Sequence, residues 1–197
     1  MRDKLIKMVS VVLVMVAAFC FASCSQNTKE TTSPTGATSQ PEVVDGDHTG
    51  KRVYFAAPLF SEAEREYNLY IVSILESHGY EVFLPQRDGF LATELEGLSE
   101  EEKTKKIFEK DKEEVLKADI LFMLLDGRIP DEGACVELGI AYSNGKRCYG
   151  FKTDSRSVEL DMDLNPMISG CFTHLFYNLD GEQLVADLEE YLNNNSL

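Results

Sequence analysis

Glu137 is the one charged residue within positions 134–141, Ala-Cys-Val-Glu-Leu-Gly-Ile-Ala. Asp131 lies six residues before it, and both follow an apolar run, 118–125, that reads as a buried strand. In an open α/β sheet, ligands gather beyond the carboxyl ends of the strands. An acid set there among small side chains is a candidate for proton transfer or nucleophilic attack. Ala134, Glu137, Ala141 and Asn144 fall at helical spacing, a face that something can approach closely. The same pattern fits a helix face turned to water, and Asp131 also fits a helix N-cap.

Other polar residues follow strand-like segments. Tyr54 closes in on the end of the first strand, with Ala57 just beyond it. Arg87 and Asp88 lie in a turn at 85–89, and Asn165 with Met167 in an Asn-Pro turn. Asp111 stands in the charge run Glu-Lys-Asp-Lys-Glu-Glu (109–114). Each also has a plain reading: a core tyrosine, turn residues, a solvated helix face.

The elements that position these residues alternate. Residues 52–58 read as a strand ending at Pro58. A helix follows, with Ser61 and Glu64 as a capping box and Leu69, Val72 and Leu75 at helical spacing to the His78-Gly79 stop. A second strand spans 80–84, then the 85–89 loop. A charged helix spans 99–117, with Ser99 and Glu102 at its cap and Ile107, Val115 and Leu116 marking its apolar stripe. The third strand, 118–125, is apolar throughout, as a central parallel strand is. A helix at 133–144, a strand at 147–151, a long polar connection at 153–170, a strand at 173–177 and a helix at 181–192 complete the chain. Strands alternating with helices argue a parallel sheet covered on both faces.

The first residues carry an address rather than a fold. Arg2, Lys4 and Lys7 precede an apolar stretch, 8–22, that is short for a membrane span and ends in Phe-Ala-Ser-Cys. That is a secretory signal (1–23) whose last residues resemble a lipoprotein processing site, with Cys24 as the acylated residue. The expected location is the extracytoplasmic face of the cell membrane, held by lipid. Residues 24–50, rich in Thr, Ser, Gln, Pro and Gly, read as a disordered tether. Residues 51–197 are the size of one domain.

The chain has 19 basic and 34 acidic residues, a net charge of −15. Nucleic acid polymers bind through Lys and Arg, so they are excluded as partners. Five cysteines and three histidines show no metal-ligand spacing, and neither a metal nor a cofactor is expected. Cys135 and Cys148 read as small buried hydrophobes.

Taken in order, residues 54–60 (Tyr-Phe-Ala-Ala-Pro-Leu-Phe), 84–89 (Leu-Pro-Gln-Arg-Asp-Gly), Asp111, 126–139 (Asp-Gly-Arg-Ile-Pro-Asp-Glu-Gly-Ala-Cys-Val-Glu-Leu-Gly), Gly145-Lys146 and 165–167 (Asn-Pro-Met) resemble the nucleoside 2-deoxyribosyltransferase family, from about residue 52 to the end of the chain. The resemblance implies a flavodoxin-like fold, a parallel five-stranded sheet flanked by helices, and cleavage of the N-glycosidic bond of 2′-deoxynucleosides. By position, Glu137 matches the nucleophile, Asp131 an acid that handles the base, Asp111 another acid of the motif set, and Tyr54 a tyrosine that orients the nucleophile. Asn165 matches an asparagine near the sugar; Ala57, Arg87, Asp88, Gly133 and Met167 are read as substrate-binding positions. The implied partners are a purine or pyrimidine 2′-deoxynucleoside, a free nucleobase and further copies of the chain in a homo-oligomer. Hydrolysis of deoxynucleosides or their 5′-monophosphates, and nucleoside binding without catalysis, stay open. The polar ending Asn-Asn-Asn-Ser-Leu (193–197) is expected to fray, leaving no cross-subunit role for Leu197.

Overall fold

The computed structural model describes residues 50–155, 162 and 164–197. The signal segment, Cys24 and nearly all of the tether lie outside the described residues. Five parallel strands form the sheet: β1 (Arg52–Ala56), β2 (Glu81–Phe83), β3 (Ile120–Leu124), β4 (Arg147–Lys152) and β5 (His174–Tyr177). Their order is β2-β1-β3-β4-β5, the flavodoxin-like arrangement. Tyr54 of β1 lies opposite Phe83 of β2 on one side and Leu121 of β3 on the other. All five residues of β3 are buried, which is why it reads as an unbroken apolar run.

The helices are α1 (Glu62–Ser77), α2 (Pro85–Asp88), α3 (Glu100–Lys117), α4 (Glu132–Ser143), α5 (Pro166–Ser169) and α6 (Gly181–Asn194). Strand alternation sorts the core into two layers. Val53 and Phe55 face α1 and α6 with Ile71, Leu75, Leu184 and Leu188. Tyr54 and Ala56 face α3 and α4 with Val115, Ala134, Leu138 and Ala141. Both capping boxes form, Ser61 with Glu64 and Ser99 with Glu102. The winding leaves β1 in one direction and β3 in the other, so the loops beyond these two strands part and leave a crevice.

Several expectations are corrected. Residues 85–88 form a short helix rather than a loop, because Pro85 presets the first helical turn and Asp88 Oδ2 accepts from Leu84 N at 2.8 Å. Leu69, Ile107 and Leu116, assigned by spacing to apolar faces, are exposed; Ile71 and Ile74 fill the α1 core beside Val72 and Leu75. The long connection contains α5, capped by Asn165. The ending does not fray. Leu197 is wholly buried in the α1/α6 layer and its N–H donates to the Tyr80 hydroxyl at 2.8 Å. Lys51 Nζ donates to Ser196 Oγ at 2.8 Å. A terminal leucine has apolar area to bury, and here the layer leaves a place for it.

Candidate active site

Tyr54 points from β1 into the α3/α4 layer, wholly buried and stacked on Phe83 with ring centroids 5.5 Å apart. Its hydroxyl donates to Glu137 Oε1 at 2.7 Å. Ala134, Glu137, Leu138 and Ala141 share one face of α4, and the three apolar members are buried on the sheet. Glu137 therefore faces inward, toward Tyr54, half-buried at the pocket wall rather than on the outer face of the helix. Burial pushes the Glu137 carboxyl up; the Tyr54 hydrogen bond opposes this, and the charges of Asp111 and Asp131 add to it, leaving a pKa of about 7. Burial and the Glu137 charge hold the Tyr54 phenol well above its ordinary range, so it remains a donor.

Asp131 is the N-cap of α4, where its Oδ1 accepts from Ala134 N at 2.8 Å. Among the described residues its second oxygen receives no hydrogen bond. Gly133 passes close by: a Cβ there would stand 3.1 Å from Asp131 Oδ1. Asp111 comes from α3. Burial raises its pKa, Lys110 draws it down and Glu114 pushes it up again. Asp111, Gly133 and Glu137 line one pocket of about 430 Å³ between α3 and α4, closed on its apolar side by Ile107, Phe108 and Val136. Such a volume falls in the range of small-molecule sites. A carboxyl with a pKa of about 7, beside a second acid whose pKa is raised and a phenol that stays protonated, can present a partly desolvated carboxylate to an electrophilic carbon with a proton source at hand. Among the described residues no cluster of His, Cys, Asp or Glu is placed to hold a metal ion.

The family model of the nucleoside 2-deoxyribosyltransferases matches residues 53–193, from β1 into α6. The chain belongs to that family. A conserved protein from Enterococcus faecalis superposes with a TM-score of 0.60 at 27% identity, over 74% of this chain and 99% of that one. A 2-deoxyribosyltransferase from Bacillus psychrosaccharolyticus gives 0.57 at 27% identity, over 71% and 91%. A CMP N-glycosidase from Clostridium botulinum shares the fold, with a TM-score of 0.50 at 18% identity over 72% and 99%. No match was found among curated proteins. Membership supports glycosyl transfer or cleavage in general terms.

Against that family pattern, the structure gathers Tyr54, Asp111, Asp131, Gly133 and Glu137. It sets the others apart. Arg87 is engaged on three sides: Nη1 to Glu76 at 2.8 Å, Nη2 to the Val82 carbonyl at 2.6 Å and Nε to Asp88 at 3.0 Å. Asp88 in turn caps Leu84 N. Ala57 packs against the α1/α6 core. Asn165 Oδ1 accepts from Met167 N at 2.9 Å, and Met167 lines a different pocket, of about 610 Å³, with Cys135 and Cys171.

Asp126 ties the loop after β3 to that after β4, accepting from Thr153 N at 2.7 Å and Asp154 N at 2.9 Å. Gly127 follows it at φ +139°, where a Cβ would meet the Ile129 carbonyl at 3.0 Å. The site roles of Phe83 and of a pocket-lining stripe on α3 escaped sequence reasoning. Phe83 clamps the Tyr54 ring, and its sole signal was a place on a neighbouring strand. Thr104, Ile107 and Phe108 line the pocket with Asp111. Ile107 was read as part of a core-facing stripe, whereas Thr104 and Phe108 carried no signal in a charged helix.

Proposed function

We propose that this protein cleaves the N-glycosidic bond of purine or pyrimidine 2′-deoxynucleosides and transfers the deoxyribosyl group to another nucleobase. The observation that carries the reading is the half-buried Glu137 carboxylate, held by the Tyr54 hydroxyl at 2.7 Å, with Asp111 beside it in one pocket and Asp131 at the head of its helix. Ionised Glu137 attacks C1′ as the bond to the base breaks, passing through an oxocarbenium-like state as in retaining glycosidases. The departing base nitrogen takes a proton from Asp131, assisted by Asp111. The product is a deoxyribosyl ester on Glu137. An incoming base gives its proton to the same acid and attacks C1′, releasing the carboxylate.

Transfer outruns hydrolysis when water is kept from the ester. Ile107, Phe108 and Val136 stand 42%, 52% and 56% exposed around the pocket, and a second copy of the chain seated there would close it. An uncovered pocket favours the alternative outcome, hydrolysis. Export and lipid attachment through Cys24 would present the enzyme to extracytoplasmic nucleosides.

The test is incubation of the purified protein with deoxyinosine, with and without adenine, followed chromatographically. Deoxyadenosine supports transfer, and free deoxyribose with no deoxyadenosine supports hydrolysis. Measurable binding with no turnover of either kind overturns the catalytic reading.

A further inference from the structure

We infer that Glu114, an acid outside the pocket lining and one turn from Asp111, is a positioning residue: by gathering Arg52, Lys110 and Lys117 it sets the register of α3 on β1 and holds the Lys110 ammonium off a direct bond to Asp111. The inference rests on the function proposed above. Glu114 is 2% exposed. It accepts from Arg52 Nη2 at 2.7 Å, Lys110 Nζ at 2.9 Å and Lys117 Nζ at 3.3 Å. A buried carboxylate persists as an anion only when paired in this way. Burial pushes its pKa up, but the bonds from Lys110 and Lys117 and the charge of Arg52 outweigh that and hold it below its ordinary value.

The register argument is geometric. Arg52 and Tyr54 alternate onto the same face of β1, about 7 Å apart along the strand. Asp111 and Glu114 are one turn apart on a single face of α3, about 4.5 Å of rise. A crossover helix runs back against its strands. Clamping Glu114 to Arg52 therefore raises Asp111 to the level of Tyr54 and its partner Glu137.

The second effect is electrostatic. The charged and titratable groups facing Asp111 are Lys110, Lys112 and Glu114 from α3, Tyr54 from β1 and Glu137 from α4. Lys110 is turned onto Glu114 and lies 5.4 Å from the centroid of Phe83, the ring stacked on Tyr54. Lys112 lies 5.8 Å over Phe108. Neither makes a hydrogen bond to Asp111 among the described residues. Loss of the Glu114 charge releases Lys110 and removes a repelling anion, and both changes favour ionised Asp111.

The test is a carboxyl ¹³C NMR titration of Asp111 in the full chain, beside a pH–rate profile. In Glu114→Gln the Asp111 midpoint is expected to fall by about half a unit or more, with the basic limb of the rate profile moving the same way. Adding Lys110→Met to that variant returns the midpoint part of the way, because the repulsion from Glu114 is still missing. If Glu114→Gln does not fold, Glu114→Met, of similar volume and apolar, carries the same expectation. An unchanged midpoint in a folded variant overturns the inference, as does a shift that Lys110→Met leaves wholly in place. The titration reads the same whether or not the protein turns over nucleosides, so failure of the proposed function and failure of this inference are told apart.

Discussion

The Tyr54 hydroxyl bonds Glu137 at 2.7 Å, joining β1 to α4 across the boundary at which the sheet reverses its winding. The bond orients the carboxylate and also tunes it, because a donor to the ionised form stabilises that form.

Tyr54→Phe keeps the ring on Phe83 and deletes the donor. A hydrogen bond to a charged group contributes about 1.5–3 kcal/mol, so kcat/KM near pH 7 should fall about ten- to hundredfold. Because the bond lowers the Glu137 pKa, its loss moves the acid limb of the profile upward. A limb that stays in place would show that Tyr54 does not tune the nucleophile.

Glu137→Ala should abolish transfer and hydrolysis while circular dichroism stays that of the wild type. Glu137 faces a pocket, so truncation enlarges a space already open to solvent and leaves the apolar packing of α4 untouched. Undiminished turnover in this variant refutes the assigned nucleophile.

With the carboxyl near pKa 7, activity that needs the anion should rise through about pH 7. Stability runs the other way. A carboxyl raised in the folded state contributes stability that is full below the ordinary carboxylate pKa and is lost as pH rises through about 7. Glu137→Gln retains an acceptor for Tyr54 without the charge. It should exceed the wild type in stability above pH 7, by on the order of 2 kcal/mol, and match it more closely near pH 5. Urea denaturation at the two pH values measures the difference.

Much of this arrangement was legible in the sequence, and the exceptions have physical causes. The strand–helix alternation fixed a parallel sheet because each β segment carries its own apolar pattern. Glu137 was ambiguous by pattern alone, since a lone acid on a helix of small residues fits water or core equally. Only the third dimension brings Tyr54, 83 positions away, to its side. Ile107 and Leu116 misled because apolar residues at helical spacing read as core, whereas α3 buries only Glu114 and Val115. Glu114 was lost in a charge run: nothing local distinguishes a carboxylate with three cationic partners from its solvated neighbours.

Arg87 offers a sharp separation between a turn residue and a substrate contact. Its bonds to Glu76, Asp88 and the Val82 carbonyl are internal. Arg87→Met should therefore lower stability by about 1 kcal/mol and leave KM for a deoxynucleoside unchanged. A rise in KM of tenfold or more would return Arg87 to the substrate pocket.

Removing Ser196 and Leu197 should be costly. Leu197 is fully buried and its N–H is satisfied by Tyr80; emptying a leucine site costs about 2–5 kcal/mol, a fall in Tm on the order of 10 °C. kcat at a temperature where the variant is folded should hold. A variant as stable as the full chain contradicts the burial of Leu197.

The chain joins the sheet at its amino edge, where Gly50 N bonds the Gly79 carbonyl and β1 begins at Arg52. Tyr54, which holds the Glu137 carboxylate, stands about 7 Å further along the same strand. A pull applied ahead of residue 50 therefore meets the Gly50–Gly79 bond and Arg52 before it reaches Tyr54 and the carboxylate it holds.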